Sequence, residues 1–196
     1  EVQRNTNTQM NCLWQYNLYY QFSNRTSFYL DFLLDDLIIN NDFKDERENE
    51  PDRLGLITKI SIIDFLLNNS LSSFTYSRIS NQTYTTFRTF ENYTSNLKGI
   101  GSPNNSFESF EYVLSMFFQY PTIIDLSLKY YRYGDNDLST VFLNQHMEFP
   151  IPPITYNIEF SSRISLIYKN TNIEFEASNN LESLDRCRVP NLGRVD

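Results

Sequence analysis

Near residue 122 the rhythm of apolar and polar positions changes. Before it, the spacing predicts helices. In TSFYLDFLLDDLIIN, Thr26 or Ser27 can cap, and Phe28, Leu30, Leu33, Leu34, Leu37 and Ile38 form a broad apolar face opposite Asp31 and Asp35, which predicts a helix over about 27–39. LITKISIIDFLLNN repeats the device, with Ile60, Ile63 and Leu67 at helical spacing beside Ile62 and Leu66, and predicts a helix over about 59–68. In SFESFEYVLSMFFQYP, Ser106 is placed to cap, Glu108 to sit in the first turn and Pro121 to stop a third helix over about 107–119.

After residue 122 the period falls to two. TIIDLSLKYY alternates Ile124, Leu126, Leu128 and Tyr130 with Asp125, Ser127 and Lys129, and ITYNIEF alternates Ile154, Tyr156, Ile158 and Phe160 with Thr155, Asn157 and Glu159. RISLIYK and NIEFEA continue the pattern around a turn-like NTN, and shorter runs of the same kind, SFTYSRI and TYTTFRTF, lie earlier. Helices first and a meander afterwards predict an α+β fold, about three helices on one face of an antiparallel sheet. One domain over 1–196 is expected, with a helical half over about 24–121 and a sheet-rich half over about 122–180.

Composition narrows the partners. A net charge of −8 with scattered lysines disfavours nucleic acid, which demands clustered cations. No apolar run reaches the roughly 18 residues of a membrane helix, so no span is expected, and the polar EVQRNTNTQM does not read as a signal peptide. Cys12 and Cys187 stand near opposite ends of the chain. Paired, they close almost all of it into one loop; unpaired, they are two unrelated buried thiols. The disulfide is the expectation, because sequons at Asn24, Asn68, Asn81, Asn92 and Asn104 point the same way, to an extracytosolic, oxidising compartment.

Catalytic chemistry has little to build on. His146 is the single histidine and lies in a proline-marked segment; Gly55, Gly99, Gly101, Gly134 and Gly193 form no phosphate loop; and adjacent Asp35 and Asp36 would point about 100° apart on a helix. An enzyme is not expected, nor a cofactor. The exceptional segment is DFKDERENEPDR at 42–53, where Asp42, Asp45, Glu46, Glu48, Glu50 and Asp52 crowd together. It lacks the glycine and terminal glutamate of a calcium loop, so no defined metal site is expected and weak calcium binding is the most it would offer. Its carboxylates repel one another, which raises their pKa and lets the field weaken in acid.

The succession SFYLDFLLDDL, acidic loop, LITKISIIDFLLNNSLSSFTY, then PTIIDLSLKYYRYGDNDLSTVFL and ITYNIEFSSRISLIYKNTNIEFEA resembles the lumenal domain of mucolipins, of the polycystin-mucolipin family. Thr58 matches that family's threonine after the acidic loop, whereas Ile57 stands in place of its tyrosine, and two cysteines allow one disulfide where mucolipins usually carry two. The resemblance implies helices flanking an acidic loop, in a homotetrameric cation channel of endosomal or lysosomal membranes. There Asp42, Asp45, Glu46, Glu48, Glu50 and Asp52 would line the pore mouth and couple calcium to pH. The alternative is a secreted or cell-surface glycoprotein, not an enzyme, that binds another protein through its aromatic-rich helices or a sheet edge.

Overall fold

The expected helices are strands. The computed structural model describes residues 13–35, 53–81, 83, 94–95, 98–99, 106–118, 122–134, 149–168 and 171–185, and no helix occurs among them. The α+β expectation is therefore corrected to an all-β fold: 27–35 and 107–117 of the first and third predicted helices are strand, and 59–68 is the end of a strand followed by a turn.

The physical reason is that these segments satisfy two periods at once. Phe28, Leu30, Phe32 and Leu34 alternate with Tyr29, Asp31, Leu33 and Asp35, and Phe110, Tyr112, Leu114 and Met116 alternate with Ser109, Glu111, Val113 and Ser115. Aromatic, β-branched and hydroxyl side chains suit a pleated surface, and pairing with neighbours on both sides outweighs the weak helical preference of an isolated segment.

Ten strands follow in chain order: β1 Leu13–Ser23, β2 Thr26–Asp35, β3 Leu54–Ile63, β4 Ser70–Ile79, β5 Thr94–Ser95, β6 Lys98–Gly99, β7 Phe107–Phe117, β8 Thr122–Gly134, β9 Ile154–Tyr168 and β10 Thr171–Asp185. The short β5 and β6 pair with each other. The other strands form one eight-stranded sheet in the order β1-β2-β3-β4-β7-β8-β9-β10, every neighbouring pair antiparallel. Strand and connection alternate without a crossover, so β1 and β10 are the edges, each with one partner among the described strands.

The meander sorts its connections by length. Residues 24–25, 64–69, 118–121 and 169–170 turn the chain at one end, and the longer 36–53, 80–106 and 135–153 return it at the other. At the short-turn end, Asp64 and Asn69 adopt positive φ of 57° and 56°, and Asp64 Oδ1 accepts the Asn69 amide at 2.7 Å, which closes the β3–β4 turn. At the long-connection end a buried polar knot ties two of these connections to each other and to the start of β3. Thr83 Oγ1 donates to the Leu54 carbonyl at 3.2 Å, Ser106 Oγ donates to Asn81 Oδ1 at 2.9 Å and accepts the Ile151 amide at 2.8 Å, and the Gly134 amide donates to the Ser106 carbonyl at 2.9 Å.

Burial is inverted relative to a water-soluble core. Among the described residues the buried side chains are mainly polar, Ser70, Ser72, Ser73, Thr83, Ser106, Ser109, Thr155 and Asn157 among them, and Ile79 is the buried hydrophobic. Large apolar side chains stand exposed instead, Phe74 on β4, Phe110 on β7 and Leu128 on β8 among them, and most of their apolar neighbours on these strands are half-buried.

Candidate membrane-facing and interior surfaces

The register assigns every strand residue to one of two faces, because directly opposed residues point the same way. One row runs Leu18, Leu30, Thr58, Tyr76, Phe110, Tyr130, Ile158, Leu181, and the next runs Tyr20, Phe28, Ile60, Phe74, Tyr112, Leu128, Phe160, Asn179. Both belong to one apolar face. Its aromatic rings touch across strands, Phe74 with Tyr112 at 4.7 Å and Tyr76 with Phe110 at 4.9 Å between centroids. A groove of about 390 Å³ opens between them, lined by Phe28, Ile60, Phe74, Tyr76, Phe110 and Tyr130 with their neighbours.

The opposite face is polar. Its middle row is small and mostly hydroxyl-bearing, Ser27, Ser61, Ser73, Ser127, Ser161 and Ser178 lying across successive strands with Val113 between Ser73 and Ser127. Ser61 and Ser73 hydroxyls meet at 3.1 Å, and those of Ser127 and Ser161 at 2.7 Å. Charged rows flank it: Glu111, Lys129 and Glu159 stand opposite one another on one side, Asp125, Arg163 and Glu176 on the other. Ser115 donates to Asp125 at 2.6 Å, and Arg163 lies 3.6 Å from the same carboxylate. Deeper, Asn157 is 3% exposed and donates to the Tyr131 hydroxyl at 2.7 Å, while its Oδ1 has no protein partner among the described residues. Such an acceptor belongs beside water.

Charge on the apolar face is confined to its rim at the long-connection end. Arg78, Glu108 and Arg132 oppose one another on β4, β7 and β8, in the same row as Tyr16, Phe32, Leu56 and Tyr156. Between this row and the short turns, that face carries no charged residue on any of the eight strands. Glu108, 8% exposed, accepts from Tyr76 at 2.7 Å on one oxygen and from Arg132 Nε at 2.7 Å on the other. Burial pushes the Tyr76 hydroxyl above its ordinary pKa, and the adjacent Glu108 carboxylate pushes it further, against a smaller opposing pull from Arg78. That hydroxyl therefore stays protonated and donating.

The residues singled out from the sequence fall elsewhere. Asp42, Asp45, Glu46, Glu48, Glu50, Asp52, Cys12, Cys187, Asn92, Asn104 and His146 lie outside the described residues. Asn24 and Asn68 occupy exposed short turns. Asn81 and Thr83, the first and third residues of one sequon, are buried in the knot, where their side chains hold Ser106 and the Leu54 carbonyl. No group of three or more potential metal ligands occurs among the described residues. The Arg78, Glu108 and Arg132 row escapes sequence reading because β-register, not chain proximity, brings these residues together.

No known protein family, curated protein or solved structure matches the chain.

Proposed function

We propose that this chain forms the wall of a membrane-spanning β-barrel, with its apolar face against lipid and its polar face lining a water-filled interior. The observation that carries this reading is the contrast between the faces: Ser73, Ser109, Thr155 and Asn157 of the polar face are covered, while the opposite face, aromatic-rich and uncharged from its rim to the short turns, leaves large side chains such as Phe74, Phe110 and Leu128 exposed. In water an exposed face of this size is unfavourable by roughly 25 cal/mol per Å² of apolar surface, and in hydrocarbon that penalty vanishes.

Dimensions agree. The eight strands run from 10 to 15 residues, and membrane strands need about 9–11 when tilted. From Glu108 to Phe117 the chain rises about 30 Å at roughly 3.4 Å per residue, which a tilt near 40° reduces to about the 25 Å height of a barrel's apolar band. Short turns at one end and longer connections at the other also follow the membrane-barrel habit. No helix among the described residues is long and apolar enough to cross a membrane; strands cross by alternation instead, so this reading departs from the expectation of no span, which rested on the apolar run that a membrane helix needs. Unpaired strand edges are not tolerated in lipid, so the ring is completed by pairing β1 and β10 with each other or with strands of further copies.

Asp31, Glu111, Asp125, Glu159, Glu174, Glu176 and Glu182 outnumber Lys59, Lys129 and Arg163 on the polar face, so the interior favours small polar and cationic solutes. The test is extraction and permeability. After expression in a host with an outer membrane, the chain is expected to resist alkaline carbonate washing and to make reconstituted vesicles leaky to small cations. Quantitative release into the carbonate supernatant would contradict the reading.

A further inference from the structure

The charged rim of the apolar face has an unusual composition. Arg132 satisfies Glu108, and Tyr76 occupies that carboxylate's other oxygen. Arg78 is exposed, makes no ion pair among the described residues, and lays its guanidinium over the Phe149 ring at 4.1 Å. Arg132 approaches the same ring at 5.9 Å. Two guanidiniums thus flank one aromatic ring while a single carboxylate pairs with one of them, which leaves Arg78, Glu108 and Arg132 together with a formal charge of about +1.

What lies directly below this pair is as informative. Two residues along the same strands toward the short turns, Arg78, Glu108 and Arg132 give way to Tyr76, Phe110 and Tyr130. Those three line the groove of about 390 Å³, with Phe28, Ile60 and Phe74 continuing it across the apolar face. A cationic site capable of several N–H donations therefore stands at the head of an apolar channel. Free phosphate would use the first part and leave the second empty. A phospholipid uses both.

We propose that Arg78, Arg132 and Phe149, together with the groove beneath them, form a binding site for an anionic phospholipid, its phosphate held by the guanidiniums and one acyl chain lying between Tyr76, Phe110, Tyr130 and Phe74. This rests on the membrane reading above. Arg78 is the adjustable member, because Arg132 is committed to the buried Glu108 and its loss would unpair that acid.

The full chain is reconstituted in phosphatidylcholine vesicles, and its association with spin-labelled phosphatidic acid is compared with that of spin-labelled phosphatidylcholine. Wild type is expected to prefer phosphatidic acid, and Arg78→Gln to lower that preference about fivefold, as losing one interfacial cation implies. Lys129→Gln, an equal charge loss on the other face, is expected to leave it unchanged. Equal preference in wild type and Arg78→Gln overturns the site, as does an equal drop with Lys129→Gln, which would make the effect one of net charge. Displacement of the labelled lipid by millimolar inorganic phosphate would show a phosphate site without lipid specificity and overturn the assignment. If neither label is restricted by wild type, the membrane reading itself has failed, a result distinct from equal restriction of both.

Discussion

Arginine in place of Leu126 is expected to destabilise the membrane-inserted protein by about 2–4 kcal/mol, the cost of a cation near the middle of a lipid-facing strand. Leu126 lies opposite Leu114 and Ser162 in the uncharged band. Arginine at the next position, Ser127, is expected to cost no more than the lost hydroxyl contact with Ser161, about 1 kcal/mol, because its side chain would enter the aqueous interior. Urea midpoints of protein folded into vesicles measure both. On a sheet whose two faces both meet water, the ordering would vanish, since exposed substitutions usually fall within about 0.5 kcal/mol of neutral.

The second large effect is expected at Gly134. A Cβ there would lie 2.4 Å from the Ile151 carbonyl oxygen, 2.5 Å from its nitrogen and 2.6 Å from Ser106 Oγ. Two of those atoms are backbone, so the space cannot be cleared by a rotamer change. Ser106 has little freedom to yield, being fully buried and held by Asn81 and Ile151. Gly134→Val is therefore expected to cost about 3 kcal/mol or more, combining overpacking with loss of the knot's hydrogen bonds. Faster amide exchange at Gly134, Ser106 and Ile151 should accompany it. A midpoint equal to wild type would show that the knot does not tie the long connections to the sheet.

Part of this architecture is legible in the order of residues alone. Over residues 124–130, 154–160 and 173–177 polar and apolar residues alternate, and these runs lie in β8, β9 and β10, with RISLIY continuing ITYNIEF in one long strand. The first half misleads because apolar residues also stand on its polar face. Leu33 is one, and it packs against its opposite number Gly55, whose missing side chain makes the room. Ile57 and Ile63 are others, and with them β3 acquires enough apolar positions to mimic a helical stripe. Ser106 reads as a helix cap; in the fold its hydroxyl bridges two connections instead. The helices implied by the mucolipin resemblance have no counterpart among the described strands.

The functional surfaces are less legible for a different reason. Arg78, Glu108 and Arg132 are scattered along the chain, and nothing local marks them. Their meaning comes from the shared row, and from the lack of charge at every alternate position between that row and the short turns. Alternation read across all strands at once, rather than within each, carries that signal.

The central claim is that one face of the sheet lies in hydrocarbon and the other in water. Nitroxides placed singly from Ile123 to Tyr131 along β8, after Cys12 and Cys187 are replaced by serine, test it directly in vesicles. Collision with oxygen, which concentrates in lipid, is expected to peak at 124, 126, 128 and 130, and collision with a water-soluble nickel reagent at 125, 127 and 129. Alternation of opposite phase for the two reagents is the result a lipid-facing wall predicts. Nickel accessibility at 124, 126 and 128 as high as at 125 and 127 would contradict it.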